Sequence, residues 1–451
     1  MSTHRRRFLR LSGVVGICTI AGCSDNSADG TPAADQGTPT EPTPPRQNLT
    51  QRAKLAADDG DRDDKFGWSV ALSSDGSTAL IGATGDRNPD GAGAGSAYVF
   101  DSSGGSWSQR AKLTADDGDI RGGFGNGFGN SAALSSDGST ALIGATGDED
   151  PNGSLAGSAY VFDSSGSSWS QQAKLAVDDG DANDQFGESV ALSSDGSTAL
   201  IGADEDPRGE GAGSAYVFDS SGESWSQRAK LTADDGDESD GFGYSVALSS
   251  DGSTALVGAR DDENPNGLSA GSAYIFDSSG ESWSQRAKLT AGDGDMSDYF
   301  GGSVTLSSDG STALIGATGD EDPNGEGAGS AYVFGSSGGS WSQQAKLAAD
   351  DGDIRDGFGG SVTLSSDGST ALIGAETDED PNGSLAGSVY VFDGSGGSWS
   401  QQAKLAAEDG DRGDIFGWSV ALSSDGSTAL IGANDDEDPN GEQAGSAYVF
   451  E

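Results

Sequence analysis

The sequence predicts an all-β fold, a seven-bladed β-propeller built from four-stranded antiparallel blades. Three observations predict it: a unit of about 58 residues opening with Phe-Gly recurs seven times, each unit holds four strand-like runs, and the two ends of the repeat region complement each other. Sequence periods of this length are typical of solenoids and propellers, whose units must stack to bury their apolar faces. The opening phenylalanines are Phe66, Phe128, Phe186, Phe242, Phe300, Phe358 and Phe416.

Turn residues divide each repeat into its strands. In the first repeat, the runs Ser69 to Ser73 and Thr78 to Ala83 flank Asp75-Gly76, and Asp-Gly between β-favouring runs is a strong hairpin signal. The third run is Ser96 to Asp101 and the fourth is Trp107 to Leu113. No segment shows the periodicity of an amphipathic helix, so we expect no helix.

The apolar pattern changes from the inner strands to the outer strand. Residues 79–81 and 98–100 are continuous apolar runs, which suit burial on both faces of a sheet. Residues 107–113 alternate instead, as expected for an outermost strand that lies half in water. Lys112 falls on the predicted water-facing side, where it would protect the sheet edge from pairing with another chain.

The two ends of the repeat region predict that the array closes into a ring. The last repeat stops after its third strand, at residues 446–451. Its missing fourth strand is supplied by residues 49–55, which match residues 399–405 with Leu49 in place of Trp399. Completing the last blade with the first strand would tie the ring and cover two sheet edges.

These repeated segments carry a resemblance to a known family. Phe66-Gly67, residues 69–71 and residues 81–83 recur in seven copies, and residues 49–451 resemble the FG-GAP repeat family. Its best-known members are the N-terminal propellers of integrin α subunits. The Trp-Ser-Gln-x-Ala-Lys-Leu and Gly-Ser-Ala-Tyr-Val-Phe segments are more similar to its bacterial and archaeal branch. The resemblance implies a propeller that acts as a binding or adhesion module.

The chain departs from that family at two places. The proline of the Gly-Ala-Pro signature is replaced throughout, which we expect to alter the start of the following loop and little else. The replacing residues are Thr84, Thr146, Asp204, Arg260, Thr318, Glu376 and Asn434. The resemblance also implies a calcium loop with three aspartates between the first two strands. This chain has only Ser-Ser-Asp-Gly-Ser there, so the family's own calcium site is predicted to be absent.

The composition is strongly acidic, with 73 acidic against 24 basic residues and a formal charge of -49. Such a surface repels the phosphates of nucleic acids, so no nucleic-acid partner is expected. An Asp-rich, Lys-poor chain suits a halophilic protein, because concentrated salt screens the repulsion between its charges.

The N-terminus predicts the location of the protein. Residues 5–10 form a twin-arginine export pattern, an apolar stretch follows to Ile20, and residues 20–23 resemble a lipobox ending at Cys23. We therefore expect residues 1–22 to be a signal peptide and Cys23 to carry a lipid that anchors the protein on the extracellular face of the cell membrane. A secreted protein with an incidental cysteine is the alternative. Residues 23–48 are rich in Thr and Pro and predict a disordered linker.

The residue inventory argues against most catalysis. The only histidine is His4, and the cysteines are Cys18 and Cys23. The predicted propeller therefore has no His-assisted nucleophile, imidazole-zinc site or disulfide. Glycoside hydrolysis by paired carboxylates would need one distinctive pair, which near-identical repeats are not expected to offer. The sequence thus predicts that the protein is not an enzyme.

Acidic loops are predicted to lie on one side of the ring, because up-and-down strands place the loops after the second and fourth strands together. The opposite side would carry nearly neutral Ser/Gly turns. An Asp-Gly-Asp-x-x-Asp pattern precedes most Phe-Gly pairs and either binds Ca2+ or forms salt-adapted turns. The candidate ligands are Asp59, Asp61, Asp64, Asp179, Asp181, Asp184, Asp235, Asp237, Asp240, Asp293, Asp295, Asp298, Asp351, Asp353, Asp356, Asp409, Asp411 and Asp414.

The leading hypothesis for function is a lipid-anchored surface propeller that binds a surface protein or polysaccharide through the loops of one face. Seven similar loops on a rigid ring would engage a repetitive partner with avidity. Two alternatives stay open: a structural component of a surface layer, and a glycosidase- or lyase-type enzyme with its site in the propeller channel.

Overall fold

The structure is a computed structural model. It describes residues 49–451 except 88–92, 118–126, 150–152, 167, 178, 205–210, 223, 281, 322–323, 380–381 and 438–439. The predicted signal peptide, the lipid-bearing Cys23 and the predicted linker lie outside the described residues.

The described residues form 28 strands and no helix. The first strand is β1 (Gln51–Leu55), and blade 1 contains β2 (Phe66–Leu72), β3 (Thr78–Ala83), β4 (Ser96–Ser103) and β5 (Ser106–Leu113). Blade 2 contains β6 (Phe128–Leu134), β7 (Thr140–Ala145), β8 (Ser158–Ser165) and β9 (Ser168–Leu175). Blade 3 contains β10 (Val190–Leu192), β11 (Thr198–Ala203), β12 (Ser214–Ser221) and β13 (Ser224–Leu231).

Blade 4 contains β14 (Phe242–Leu248), β15 (Thr254–Ala259), β16 (Ser272–Ser279) and β17 (Ser282–Leu289). Blade 5 contains β18 (Ser303–Leu306), β19 (Thr312–Ala317), β20 (Ser330–Ser337) and β21 (Ser340–Leu347). Blade 6 contains β22 (Phe358–Leu364), β23 (Thr370–Ala375), β24 (Ser388–Asp393) and β25 (Ser400–Leu405). Blade 7 contains β26 (Ser419–Leu422), β27 (Ala429–Ala433) and β28 (Ser446–Phe450). The seven sheets are four-stranded and antiparallel, so the predicted seven-bladed propeller is confirmed.

The outer strand of blade 7 comes from the other end of the propeller. β1 pairs antiparallel with β28, with Gln51 opposite Phe450 and Leu55 opposite Ala447. Beyond the strand, Thr50 and Glu451 exchange two backbone hydrogen bonds of 2.9 and 3.0 Å. The last blade is therefore completed by the first strand of the array.

The Phe-Gly signature begins the innermost strand earlier than the sequence predicted. In blade 1, Phe66 pairs with Ala83 and Val70 with Ile81, so a bulge lies between them. Gly67 in this bulge has a φ of 92°, and a Cβ there would collide with the carbonyl oxygen of Ser446 in blade 7. The glycine is required because the bulge brings two blades into backbone contact.

The apolar core lies between blades rather than inside each one. Phe300 of blade 5 is fully buried, and its ring centroid lies 5.5 Å from that of Tyr332 and 5.9 Å from that of Phe334. The same cluster includes Leu256 and Ile275 of blade 4. Each blade thus needs its neighbour to bury its apolar face, which is the expected property of a repeat propeller.

A ring of backbone hydrogen bonds joins the blades on the Ser/Gly side. The amide of the second serine in each first hairpin donates to the carbonyl of its counterpart in the next blade, at 2.9–3.0 Å. The ring runs through Ser74, Ser136, Ser194, Ser250, Ser308, Ser366 and Ser424 and returns to Ser74. The ring links the hairpins of all seven blades in one continuous circle.

The alternation predicted for the outer strand breaks at a bulge. Phe100 pairs with Gln109 and Val99 with Ala111, so Arg110 is the extra residue. Lys112 therefore does not project freely into water as predicted; its side chain is 23% exposed and its ammonium is held in ion pairs. Arg110 is the exposed cation of this strand.

Candidate functional site

The loops after the second and fourth strands meet on one side of each blade, as the strand directions predicted. In blade 1, Lys112 Nζ at the end of β5 lies 2.7 Å from Asp59 before β2 and 2.7 Å from Asp86 after β3. Asp86 is buried and also accepts a hydrogen bond from the Ser96 hydroxyl. The Tyr98 hydroxyl donates a hydrogen bond to Asp59 at 3.1 Å, and the Lys112 ammonium lies 5.2 Å from the Tyr98 ring centroid.

The same ion network recurs around the ring. In blades 2, 4, 5, 6 and 7 the central lysines are Lys174, Lys288, Lys346, Lys404 and Lys54, each paired with two aspartates. In blade 3, Lys230 pairs with Asp179 at 3.2 Å. Burial raises the pKa of Asp59, but the hydrogen bond and charge of Lys112 outweigh it and hold that pKa below its usual value. These lysines thus supply cations inside the acidic face.

The three aspartates of each predicted calcium motif have separate contacts. The first one, such as Asp59, is held by the lysine network. The last one, such as Asp64, is buried and accepts the backbone N–H of Asp61 at 2.6 Å. The first position is filled by Asp59, Asp179, Asp235, Asp293, Asp351 and Asp409, and each pairs with a lysine.

The second and third positions form a turn. The amides of Asp61, Asp181, Asp237, Asp295, Asp353 and Asp411 donate to Asp64, Asp184, Asp240, Asp298, Asp356 and Asp414 respectively, at 2.5–2.7 Å. Within the described residues, no group of three or more His, Cys, Asp or Glu side chains is placed to hold a metal ion. This geometry favours the turn-forming role, and Ca2+ binding stays a prediction of the sequence.

Replacing Lys288 tests the energetic role of the ion network. Lys288 pairs with Asp235 at 2.8 Å and with the buried Asp262 at 3.0 Å. We expect Lys288→Met to lower the free energy of unfolding by about 2–3 kcal/mol, because it leaves the buried Asp262 carboxylate without its cation. The lysine itself is partly exposed. The matched control is Arg286→Met, which breaks an exposed pair with Asp277 and should cost less than about 1 kcal/mol. Equal losses in denaturant titrations of the two variants would contradict this assignment.

The buried turn aspartates predict how stability depends on pH. Burial raises the pKa of Asp240 to about 6, and the pKa values of Asp64, Asp298, Asp356 and Asp414 are raised in the same way. An acid whose pKa is higher in the folded than in the unfolded state binds protons better when folded. Stability should therefore increase as pH falls from above 6 towards about 4. Melting curves at pH 7.5 and pH 5 in constant potassium chloride measure this.

Asp240→Asn should remove the part of this pH dependence that comes from the Asp240 carboxyl. The variant is expected to melt higher than the parent at pH 7.5, and the difference should shrink at pH 5. Asp251 is the matched control, because hydrogen bonds from Ser253 and Ser249 lower its pKa, so Asp251→Asn should lower the melting temperature at both pH values. A lower melting temperature of Asp240→Asn that depends on added Ca2+ would instead indicate a metal site.

The repeats carry different side chains where they meet the propeller axis. The residue after each Phe-Gly pair changes from blade to blade, and one pocket of about 570 Å³ is lined by all seven of these residues together with Arg260, Tyr299, Thr318 and Glu376. The seven are Trp68, Asn130, Glu188, Tyr244, Gly302, Gly360 and Trp418. Since equivalent positions of all blades line it, the pocket lies on the axis, and we call it the channel mouth.

One wall of the channel mouth is formed by two indoles. Trp68 of blade 1 and Trp418 of blade 7 have ring centroids 5.0 Å apart and an interplanar angle of 53°. Trp418 is 37% exposed, which is unusual for a large aromatic side chain in this chain. The junction between the first and last blades therefore presents aromatic surface to the pocket.

A cation stacked on tyrosines forms the opposite wall. The guanidinium of Arg260 lies 4.3 Å from the Tyr244 ring centroid and 5.5 Å from that of Tyr299. Its Nε also lies 3.2 Å from Asp261. Arg260 thus already occupies the faces of both tyrosines.

The acidic groups of the channel mouth differ in their surroundings. Asn130 donates to the Glu188 carboxylate at 3.3 Å. Glu376 has a buried Oε2 with no hydrogen-bond partner, and burial raises the pKa of this side chain to about 7. A Cβ on Gly360 would collide with that oxygen, so the missing side chain in blade 6 makes room for Glu376.

Two expectations from the sequence are corrected by this pocket. The residues replacing the signature proline were expected to alter little beyond the loop, but Arg260 and Glu376 at that position line the channel mouth. Near-identical repeats were expected to offer no distinctive pair of carboxylates, yet Glu188 and Glu376 both line this pocket, at positions where most blades carry no carboxylate. The sequence signal at these positions is that their residue type changes from repeat to repeat.

A seven-bladed repeat propeller with a pocket on its axis has the architecture of a binding module. The sequence model of the FG-GAP repeat matches residues 49–100, 107–162, 169–218, 225–276, 283–334, 341–392 and 399–450. The chain belongs to the FG-GAP repeat family. A comparison with curated proteins found no match. The described part of the chain contains no helix able to cross a membrane.

Proposed function

We propose that this protein is an exported, lipid-anchored propeller of the cell surface that binds a surface protein or polysaccharide through the channel mouth without catalysing a reaction. The single observation that carries the binding site is that the seven residues after the Phe-Gly pairs, which vary from blade to blade, line one pocket together. Residues from glycine to tryptophan occupy the same position there, so blade folding does not require any one of them. The side chains at this position can therefore serve in recognition of a ligand.

The propeller also supports binding by holding the pocket rigidly. The second strand of each blade is buried almost throughout, and the hydrogen-bonded serine ring ties the blades together on the opposite side. A preorganised pocket loses little conformational entropy when a ligand binds. The acidic face around it disfavours anionic partners.

A glycosidase- or lyase-type activity is the second candidate, because Glu188 and Glu376 share the pocket. The raised pKa of Glu376 is a property of general acids in such enzymes. Incubation with candidate polysaccharides, followed by assay of new reducing ends, separates the two proposals. Release of reducing ends that is lost in Glu376→Thr would replace the binding proposal. Thr318 shows that threonine is accepted at this position.

Binding is tested with a chain that cannot acquire the lipid. Full-length Cys23→Ser protein is mixed with isolated cell envelopes in concentrated potassium chloride and sedimented. Cosedimentation that disappears after protease or periodate treatment of the envelopes supports a protein or polysaccharide ligand, respectively. Absence of cosedimentation with untreated envelopes would overturn the proposed function.

The same substitution tests the anchor. In cells, the parent chain should fractionate with the membrane, and Cys23→Ser should release it from the membrane fraction. Intact-mass measurement of the parent should show a lipid on a chain beginning at Cys23. Equal distribution of both proteins would favour a secreted protein with an incidental cysteine.

A further inference from the structure

The shape of the channel mouth restricts what it can bind. Its volume of about 570 Å³ lies within the range of about 300–1,000 Å³ that is usual for small-molecule sites. The residue after the Phe-Gly pair is bulky in blades 1, 4 and 7, whereas blades 5 and 6 carry Gly302 and Gly360 at this position. The pocket is therefore asymmetric, with room for one or two ring-sized units beside the indoles.

The lining combines flat apolar surfaces with planar polar groups. The Trp68 and Trp418 rings offer surface for the C–H face of a ring-shaped ligand. The Asn130 amide and the Glu188 and Glu376 carboxylates provide donors and acceptors at the edge of such a ring. Glu376 Oε2, buried and unpartnered, would gain a hydrogen bond from a ligand hydroxyl.

The charges of the pocket favour an uncharged ligand. Glu188, Glu376 and the surrounding acidic face disfavour an anion. A cationic ligand would bind best over the faces of the tyrosines, but Arg260 already stacks on Tyr244 and Tyr299. Arg260 would also repel a second cation at close range.

We propose that the channel mouth binds a neutral pyranose unit of a surface saccharide, stacked on Trp68 and Trp418 with its hydroxyls bonded to Asn130, Glu188 and Glu376. This inference rests on the proposed function and names its ligand class. A pyranose ring has the required combination of an apolar face and hydroxyl groups at its edge. Glu376, which lies against Gly360, then limits the depth to which the sugar enters.

The repeats themselves supply substitutions that are compatible with folding. Trp68→Gly and Trp418→Gly introduce the residue that blades 5 and 6 carry at this position. Gly302→Trp does the reverse and places an indole in the pocket. A side chain can be accommodated there, because the nearest atom to a Cβ would be the Tyr299 carbonyl oxygen at 3.3 Å. The control is Trp341→Leu on the outer strand of blade 5, because Leu49 holds the equivalent place in blade 7.

Binding is measured with the methyl glycosides of glucose, galactose and mannose and with their trisaccharides. Full-length Cys23→Ser protein in concentrated potassium chloride is titrated while tryptophan fluorescence and heat are recorded. We expect at least one neutral sugar to bind, with affinity reduced tenfold or more by Trp418→Gly, Trp68→Gly and Gly302→Trp and unchanged by Trp341→Leu. Melting curves of each variant establish that it is folded.

Other outcomes would overturn the inference. They are the absence of binding by every neutral sugar, equal affinity in all variants, or preferential binding of glucuronate or of arginine methyl ester. Envelope cosedimentation of the same variants is read separately. If the parent and all variants cosediment equally, the pocket assignment fails and the proposed surface binding stands. If none cosediments, the proposed function fails.

Discussion

Deletion of residues 49–55 is expected to destabilise the propeller by about 5 kcal/mol or more. The deletion exposes the sites where Leu49 and Leu55 are buried, each contributing about 1.5–3 kcal/mol. It also removes Lys54, whose ammonium lies 3.0 Å from the buried carboxylate of Asp436. Strand β28 becomes an unpaired edge, so the variant should also aggregate. Denaturant unfolding and light scattering measure the two effects.

The control keeps the strand and changes only its sequence. Arg52→Gln gives β1 the sequence that β25 already has in blade 6. The exposed Arg52 pairs with Glu451 only at 3.9 Å, so stability should change by less than about 0.5 kcal/mol. A deletion variant that unfolds at the same denaturant concentration as the parent would show that β1 does not hold the ring closed.

Phe300→Ala should cost about 3–5 kcal/mol, the second large effect. Its ring is fully buried between blades 4 and 5 and contacts Tyr332 and Phe334, so its removal leaves a cavity at the blade junction. The control in the preceding loop is Met296→Ala, where the side chain is 63% exposed and the cost should stay below about 0.5 kcal/mol. Urea titrations compare the two, and similar midpoints would contradict a core located between blades.

The strands could be predicted from sequence because each depends on local chemistry. Asp75-Gly76 marks a hairpin, and the continuous runs at residues 79–81 and 98–100 mark inner strands. The pairing of β1 with β28 follows from the matching ends of the array. These features need only turn residues, apolar patterning and a repeat count.

The features that could not be predicted depend on contacts between distant segments. The position of Gly67 reflects the approach of Ser446 from another blade. The role of Lys112 reflects a bulge at Arg110 that turns the lysine towards two aspartates. Alternation alone places that lysine in water, because a period of two ignores the extra residue.

The candidate site was missed for a related reason. The acidic loops share a recurring Asp-Gly-Asp-x-x-Asp pattern, whereas the positions that line the channel mouth share no common residue type. Trp418 and Glu376 are recognised as parts of one pocket only when the ring brings equivalent positions of all blades to one axis. Comparing the repeats with one another marks these positions as variable, together with others in the loops, but does not show that they line one pocket.

The central claim is that the protein binds its partner through the channel mouth. The described propeller residues include no cysteine, so protein carrying Cys18→Ser, Cys23→Ser and either Gly302→Cys or Gly396→Cys can be labelled at one place with a maleimide-linked polymer. Gly396 lies in a Ser/Gly-side turn with no atom within 4 Å of a Cβ, and neither glycine has a positive φ. The polymer at position 302 should abolish cosedimentation with cell envelopes, and the polymer at position 396 should leave it unchanged. Binding that survives the label at 302, or is lost only with the label at 396, would contradict the account.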